Sequence, residues 1–338
     1  MFKTIEKGNF NTFVKRLIEK YRVEAPQTKG GKFAFNTLKN VSNLRLDHDV
    51  TILPPKKYFM PQVETILSFD KQEYTPNLDN EKFILLGVHP YDIYAFNVLD
   101  KLFEQNNPDA HYAIRRKNIT VIGCDIINTS SKAFWSSMGT GTVDNGFDLM
   151  ITDCDSYYVI QISSDNGKNL LNEFSINHDS SNEEIQKRNE VRKNLFKQFS
   201  GEKLDYPIAD LSKRLEKSYD SSLWKKNSAT CYSCGSCNLV CPTCYCFDVR
   251  DEIEFDLQRG QRQRCWDGCL LEDFASVMGG KHNFRKNKED RYRHRYFRKG
   301  FYIYQKIGLL GCVGCGRCTI NCVPDIANPV TIYNQLSM

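Results

Sequence analysis

Two matched runs of cysteine near the C-terminal end constrain this chain more than any other feature. They read Cys231-x2-Cys234-x2-Cys237-x3-Cys241-Pro242 and Cys312-x2-Cys315-x2-Cys318-x3-Cys322, with Pro324 two residues on. This spacing is typical of chains that hold cubane iron–sulfur clusters. Three cysteines at two-residue intervals require a tight loop, and small residues such as Gly235 and Gly316 suit it.

The fourth cysteine of each run is expected to bind the cluster of the other run. This exchange occurs in two-cluster bacterial ferredoxins, where a proline then turns the chain out of the loop. Zinc or a disulfide framework is the alternative for simple C-x2-C pairs. Two complete runs favour two [4Fe–4S] clusters. The expected ligands are Cys231, Cys234, Cys237 and Cys322 for cluster 1, and Cys312, Cys315, Cys318 and Cys241 for cluster 2.

Length and composition are compatible with a folded intracellular protein. The chain has 338 residues, enough for two or three domains. Twelve of its 14 cysteines fall between 231 and 322, which fits thiolate ligation in a reducing compartment better than a disulfide scaffold. A formal charge of +5 implies no particular partner. Without an apolar signal sequence or a run of about 20 apolar residues, we expect a soluble cytoplasmic protein with no membrane span.

The first half of the chain has the pattern of a mixed α/β domain. Apolar residues at helical spacing predict a helix over about 9–22, and residues 27–32 are expected to form a loop. Continuous apolar runs predict buried strands with a helix between them. These elements are strand 83–88, helix 92–103 and strand 119–123, followed by a hairpin of strands 147–152 and 157–162.

The predicted fold class is therefore α+β or α/β with a separate cluster domain. A polar, loosely helical region follows the hairpin and precedes the cysteine runs. A long insert separates the two runs. The predicted units are an N-terminal α/β domain (1–165), a helical connector (166–224) and a ferredoxin-like two-cluster domain (225–338) with insert 242–311.

The other cysteines leave several interpretations open. A third iron–sulfur cluster, a zinc ion or buried structural thiols would each account for the group inside the insert. Its members are Cys244, Cys246, Cys265 and Cys269. Cys124 and Cys154 are isolated near strand ends, where we expect small core residues. His89 follows a buried strand, where α/β sheets place sites, but a turn residue is the favoured interpretation.

Residues 281–300 form an arm in which basic and aromatic residues alternate. Such a pattern is found in nucleic-acid-binding segments. Cysteine-ligated cubanes carry negative charge, so nearby Arg and Lys would instead neutralise them and raise their potentials. The arm would also dock an acidic partner surface. Because cluster loops flank it on both sides, charge compensation and docking are favoured over nucleic acid.

Several segments resemble the beta subunit of cytosolic sulfhydrogenases, the NAD(P)-linked nickel–iron hydrogenases. The chain is similar, more distantly, to one of the subunits of anaerobic sulfite reductase. The matching segments are Thr51–Phe59, Gly87-Val88-His89, Asp92-Ile93-Tyr94, Ser137–Gly141, Gly146–Leu149, Cys241–Cys246, Gly280 with His282–Arg285, and Cys312–Cys318. The Cys-Pro-Thr-Cys-x-Cys and Gly-Gly-x-x-Asn-Phe-Arg-like pieces are the specific ones.

The resemblance implies an electron-carrying subunit of a hetero-oligomeric oxidoreductase. In such complexes a flavoprotein subunit handles NAD(P)H, and a catalytic subunit handles hydrogen, sulfur or sulfite. No catalytic residue, nucleic-acid partner or substrate chemistry of its own is predicted for this chain. The alternative function is a zinc-stabilised module that binds nucleic acid or protein through the basic arm.

The chain also departs from the pattern of these relatives. Where they often carry an N-terminal cluster site, this sequence has Tyr91 and the segment 133–136 in place of cysteines, and retains Cys124. The resemblance therefore implies that this cluster has been lost. Relatives commonly lack a cysteine at Cys265, so the third site would use three cysteines and another ligand, for which His282 is a candidate.

Overall fold

The computed structural model describes residues 1–105 and 107–337. The strands are β1 (Phe2–Glu6), β2 (Arg22–Lys29), β3 (Lys32–Thr37), β4 (Val63–Asp70), β5 (Glu73–Pro76), β6 (Phe83–Val88), β7 (Ile119–Cys124), β8 (Leu149–Asp153), β9 (Tyr157–Ile162), β10 (His178–Asp179), β11 (Phe247–Ile253), β12 (Arg259–Trp266), β13 (Ser276–Val277) and β14 (His282–Asn283).

Helices lie between the strands and around the cysteine runs. They are α1 (Lys7–Lys20), α2 (Pro90–Phe103), α3 (Ala110–Asn118), α4 (Trp135–Met138), α5 (Asp165–Phe174), α6 (Asn182–Lys197), α7 (Leu211–Lys217), α8 (Leu223–Ser228), α9 (Ser236–Leu239), α10 (Lys288–Phe297), α11 (Ile303–Ile307), α12 (Arg317–Ile320) and α13 (Pro329–Tyr333). In the part of the chain that the structure describes, none of the helices combines the length and apolarity needed to cross a membrane.

An eight-stranded mixed sheet forms the centre of the N-terminal half, in the order β10-β1-β9-β8-β7-β6-β2-β3. Strands β2, β6, β7 and β8 are parallel to one another. On either side of them, β3 pairs antiparallel with β2 and β9 pairs antiparallel with β8. The central strand β6 is buried along its whole length, as its continuous apolar sequence predicts. The predicted α/β class is confirmed.

Helices cover both faces of this sheet. Phe13 and Leu17 of α1 pack on one face together with Leu171 of α5. Phe96 of α2 and Tyr112 of α3 pack on the other face. The sheet is therefore the middle layer of three, and apolar side chains of its strands alternate between two cores.

Several predicted elements are confirmed, and one is wrong. The helix predicted over 9–22 is α1, shifted by two residues, and the predicted hairpin is β8–β9. The loop predicted over 27–32 is instead a hairpin, since β2 continues to Lys29 and β3 begins at Lys32. Gly30 and Gly31 form its turn, and both have positive φ. Two glycines suffice for such a turn, so the strands extend to its edges.

The region after the hairpin is attached to the large sheet. Leu170, Leu171 and Phe174 of α5 belong to the core on one face, and β10 pairs with β1 at the sheet edge. Helix α6 begins in a capping box formed by Ser181 and Glu184, and it lies against β8 and β9.

The insert between the cysteine runs pairs with the N-terminal half. Strands β11 and β12 form a hairpin, and β12 adds antiparallel to β4, giving a second sheet in the order β11-β12-β4-β5. Buried Arg264 of β12 forms ion pairs with Glu64 of β4 and with Asp109, which caps α3. Residues about 200 positions apart thus share one sheet.

The loop of the second cysteine run rests directly on the N-terminal half. The amide of Phe134 donates to the carbonyl of Gly314 at 2.7 Å, and the Thr140 hydroxyl donates to the carbonyl of Val313 at 2.7 Å. Trp135 is fully buried in the same contact and packs against Phe199. The backbones approach closely here because Gly314 has no side chain.

We predict that Gly314→Ala separates these two surfaces. A Cβ at Gly314 would lie 2.5 Å from the backbone nitrogen of Trp135. Overpacking of this kind costs about 1–3 kcal/mol, and a left-handed φ costs alanine about 1 kcal/mol more. The midpoint of thermal unfolding should fall by several degrees.

Gly308→Ala is the matched control for this substitution. Gly308 has a φ of +71° against +68° for Gly314, but nothing lies within 4 Å of a Cβ built on it. The control should therefore lose only the stability that a left-handed φ costs alanine. Equal losses of stability in the two variants would contradict a steric role for Gly314.

Candidate iron–sulfur site

One cavity brings together cysteines from both runs. Its walls are largely apolar and include Leu270, Tyr292, Ile326 and Ala327. The thiols that line it are Cys231, Cys234 and Cys237 of the first run and Cys322 of the second. The predicted ligands of cluster 1 are three cysteines of the first run and the fourth cysteine of the second run. All four therefore share a single cavity.

The two runs fold alike. Gly235 and Gly316 have φ of +73° and +77°, and each is the residue immediately before a short helix, α9 or α12. Two residues earlier, Ser233 and Gly314 also have positive φ. These left-handed positions let the backbone curl around a small volume, and each following helix directs the fourth cysteine away from its own loop.

The thiols assigned to cluster 2 also lie together. Burial raises the pKa of Cys312, and the neighbouring thiols Cys318, Cys241 and Cys315 raise it further. Although Cys241 belongs to the first run, its thiol is close enough to the second run to raise the pKa of both Cys312 and Cys315. A hydrogen bond from Cys244 lowers the pKa of Cys241 well below its usual value, and buried Lys299 acts in the same direction.

These donor sets fit iron–sulfur clusters. Burial raises the pKa of Cys237 and of Cys315 to about 12, although Arg295 and Arg317 oppose the shift. A buried thiol with such a pKa becomes a thiolate only when a cation or metal compensates it. Soft thiolates in a largely apolar cavity are ligands that suit iron–sulfur clusters.

Buried cations from the basic arm face the thiols. Helix α10 and the π-helical turn Arg298–Tyr302 after it place Arg291, Arg295 and Lys299 four residues apart, on one buried face. The Arg291 guanidinium donates to the Ser233 hydroxyl of the first loop at 3.2 Å. The inner face of the arm is therefore directed at the cysteine loops.

The charges on Arg295 and Lys299 are maintained by the thiols. Burial opposes both charges and is the largest single effect, but Cys237, Cys318 and Cys241 act together with Tyr296 to raise the pKa of Arg295. Cys241 and Cys244 do the same for Lys299, whose ammonium also donates to Thr243 Oγ1 at 2.7 Å. These residues supply the charge compensation expected of the arm.

A lysine from the N-terminal half lies near the same thiols. Lys56 is buried, and its ammonium donates to the carbonyl of Cys244 at 2.5 Å and lies 4.2 Å from the ring centroid of Trp266. Burial lowers its pKa to about 8, and Cys244 and Cys241 limit that shift. The segment Pro54-Pro55-Lys56-Lys57 thus contributes a buried cation beside the cysteines.

An ion pair joins the second cysteine loop to the large sheet. Arg317, between Cys315 and Cys318, binds both carboxylate oxygens of Asp92 at 2.6 and 2.7 Å. The guanidinium also donates to the backbone oxygen and the hydroxyl of Thr51. Both charged side chains are 1% exposed.

The four cysteines of the insert separate into two environments. Cys244, Cys246 and Cys269 share one environment. The Asn238 amide nitrogen lies 3.7 Å from the Cys244 sulfur and 3.4 Å from the Cys269 sulfur. Burial raises the pKa of Cys246, and the nearby Cys269 thiol raises it further. Cys265 lies on β12 opposite Asp248. Strand alternation turns its side chain away from that of Trp266, which faces the cluster region.

His282, the other candidate ligand, lies on β14. Its side chain is exposed, and its ring packs edge-on against that of Phe284. Asn238 was not identified from the sequence. Its position between Cys237 and Cys241 could have marked it as a functional residue, since polar side chains near metal ligands commonly form hydrogen bonds with them.

Aromatic side chains occupy the positions where the resemblance led us to expect cysteines. Tyr91 and Trp135 are almost completely buried and belong to one apolar cluster with Val313 of the second run. The Trp135 ring packs against Phe196 and Phe199 of the segment that includes α6. Aromatic packing therefore joins the large-sheet half of the chain to the second cysteine run at these positions.

Comparisons with known proteins agree with this description. Residues 230–326 match the family described as "4Fe-4S dicluster domain", so the fold and the paired runs define an iron–sulfur protein of the dicluster class. Over 314 residues the chain is 34% identical to sulfhydrogenase 2 subunit beta of Pyrococcus furiosus, covering 93% of this chain and 92% of that one. The chain belongs to the sulfhydrogenase beta-subunit family. No solved structure matches it.

We predict that Lys299→Met lowers a reduction potential of the iron–sulfur centres. A nearby cation favours the more negative, reduced state, so its removal should shift the potential down by on the order of 50 mV. Redox titration followed by electron paramagnetic resonance measures this shift. Exposed Lys306→Met, on α11, is the matched control and should leave the potential unchanged. Equal potentials for both variants would contradict a role for Lys299 in charge compensation.

Proposed function

We propose that this chain is the electron-carrying iron–sulfur subunit of a hydrogenase-type complex and holds a [4Fe–4S] cluster at each cysteine run. The observation that carries the proposal is the cavity lined by three thiols of the first run and Cys322 of the second. Swapped ligation of this kind makes the two centres one covalent unit. A short separation between them suits transfer of an electron from one to the other.

The chain's own residues prepare the centres for this role. [4Fe–4S] clusters supply one-electron redox chemistry, with potentials set by net charge, hydrogen bonds and solvent exposure. Arg295 and Lys299 offset thiolate charge in the buried interior, and Asn238 donates hydrogen bonds to the neighbouring sulfurs of Cys244 and Cys269. The side chains around the thiols thus act on charge and hydrogen bonding, while no residue is assigned to substrate chemistry.

The proposed partners are a flavoprotein subunit that binds NAD(P)H and a catalytic subunit of hydrogenase or sulfite- or sulfur-reductase type. The relative is named as the beta subunit of a sulfhydrogenase, which supports assembly with other subunits. The first run reaches the surface: Cys234 is exposed, and Tyr232 and Val323 beside the cavity are 68% and 85% exposed. Exposed apolar side chains next to a ligand loop suit electron exchange with a docked subunit.

Metal analysis tests the proposal. The full chain, purified without oxygen, should be brown and contain about eight iron and eight sulfide per chain. About twelve of each would indicate a third cluster, for which Cys244, Cys246 and Cys269 are the candidate ligands. Mass analysis of co-purifying subunits from the native source identifies the terminal reaction. A colourless preparation containing zinc would contradict the proposal.

Serine substitutions test the exchange of the fourth cysteine. Cys231→Ser and Cys322→Ser should alter the same electron paramagnetic resonance signal of the reduced protein, since both residues line the first cavity. Cys315→Ser should alter the other signal. If Cys322→Ser instead changed the signal that Cys315→Ser changes, each run would bind its own cluster and the assignment would be wrong.

A further inference from the structure

Three buried side chains of metal-ligand type meet at one edge of the large sheet, apart from the cysteine runs. They are His48, His89 and Cys124, and one ring nitrogen of each histidine and the Cys124 sulfur all lie within 4.8 Å of one another. His48 is 1%, His89 0% and Cys124 2% exposed. Within residues 1–105 and 107–337, no other group of three or more histidine, cysteine or carboxylate side chains comes this close together.

Hydrogen bonds hold both rings in one tautomer. His48 Nδ1 lies 3.0 Å from the carbonyl oxygen of Arg45, which can only accept, so Nδ1 carries the proton. His89 Nδ1 lies 2.7 Å from the hydroxyl of Tyr91. That hydroxyl donates its own proton to the carbonyl of Asp49 at 3.0 Å, so it accepts from His89. Each ring therefore has its lone pair on Nε2.

The lone pair of His89 lacks a protein partner. Among the described residues, no donor reaches His89 Nε2, although the atom is fully buried. A buried polar atom without a partner costs about 1–3 kcal/mol. Metal-binding histidines characteristically donate Nδ1–H to a carbonyl or hydroxyl oxygen and bind the ion through Nε2. The arrangement is that of an imidazole prepared to bind a metal.

We propose that His48, His89 and Cys124 form a three-ligand binding site for one divalent transition-metal ion of the zinc class. Imidazole nitrogen and thiolate sulfur are the donors that such ions prefer. Binding replaces the thiol proton of Cys124, which is released to solvent, so the thiolate offsets one of the two positive charges. The Arg317 guanidinium beside the site is paired with the Asp92 carboxylate.

The two rings must reorient before both can bind one ion. The rings of His48 and His89 stack with centroids 3.8 Å apart and an angle of 4° between their planes. In a tetrahedral zinc site the ligand atoms lie about 3.4–3.6 Å apart, from bond lengths of about 2.0–2.3 Å. The lone pairs of rings stacked in this way lie in parallel planes, so the rings must tilt apart by some tens of degrees for both lone pairs to reach one ion. The ligand atoms must also approach one another by up to about 1 Å.

The position in the fold indicates what the ion would stabilise. Cys124 ends β7 and His89 follows β6, so both lie at the carboxyl edge of adjacent parallel strands. His48 comes from the segment between β3 and β4, which also supplies Thr51 to Arg317. An ion shared by these residues would tie that segment to the sheet edge beside the second cysteine loop.

Zinc retention and X-ray absorption test this site in the full, iron-loaded chain. After incubation with Zn²⁺ and removal of loosely bound metal, the wild type should retain about one zinc in addition to its iron. Its zinc absorption spectrum should show one sulfur and two or more nitrogen or oxygen neighbours. Zinc that replaces iron in the cysteine runs would instead show sulfur neighbours alone, and that result would overturn the proposal.

Substitutions complete the test. Cys124→Ala should lose the zinc, while Cys154→Ala, which removes a buried thiol at the end of the neighbouring strand β8, should keep it. Tyr91→Phe removes the acceptor that fixes His89 and should weaken zinc binding about 10–100-fold without removing a ligand. Equal zinc retention in wild type and Cys124→Ala, or unchanged affinity in Tyr91→Phe, would overturn the proposal.

Discussion

The structure depends on the buried ion pair between Arg317 and Asp92. Arg317 belongs to a ligand loop and Asp92 to the first turn of α2, so the pair fixes the second cysteine run on the large sheet. Burying two charges is costly, and the cost is recovered when the geometry is bidentate and the remaining donors are satisfied. Thr51 satisfies those donors, and Asp92 also benefits from the helix N-terminus.

The same principle extends to the interior around the thiols. Arg295, Lys299 and Lys56 are all buried, an arrangement that apolar surroundings disfavour unless negative charge is close by. The thiols supply that charge when they bind metal. The basic arm is thus unusual in composition because its inner face serves this interior, and its spacing of four residues aligns the cations with successive turns of helix.

The sequence predicted what local pattern determines. Continuous apolar strands and the helix before β2 each carry their own signal, and the structure confirms these elements. The cysteine spacing carries a signal of the same kind, and the match to the dicluster family supports an iron–sulfur domain. Pairings between distant segments carry no such signal: β12 beside β4, Arg317 with Asp92 and His48 stacked on His89 all join residues that only the folded chain brings together. Arg317 was overlooked for this reason, although its place between two ligands marked it.

The two cysteine runs are equivalent in sequence but not in their surroundings. Gly314 and Val313 of the second loop are covered by Phe134 and Thr140, whereas Cys234 of the first loop is exposed. Aromatic packing of Trp135 closes the side of the second run that faces the large sheet. In the proposed electron path the first loop therefore offers a partner its exposed thiol, Cys234, whereas Cys312, Cys318 and Cys322 of the second loop are half-buried. The N-terminal half thus holds the second run in place, and through Lys56 it also adds a buried cation beside Cys241 and Cys244.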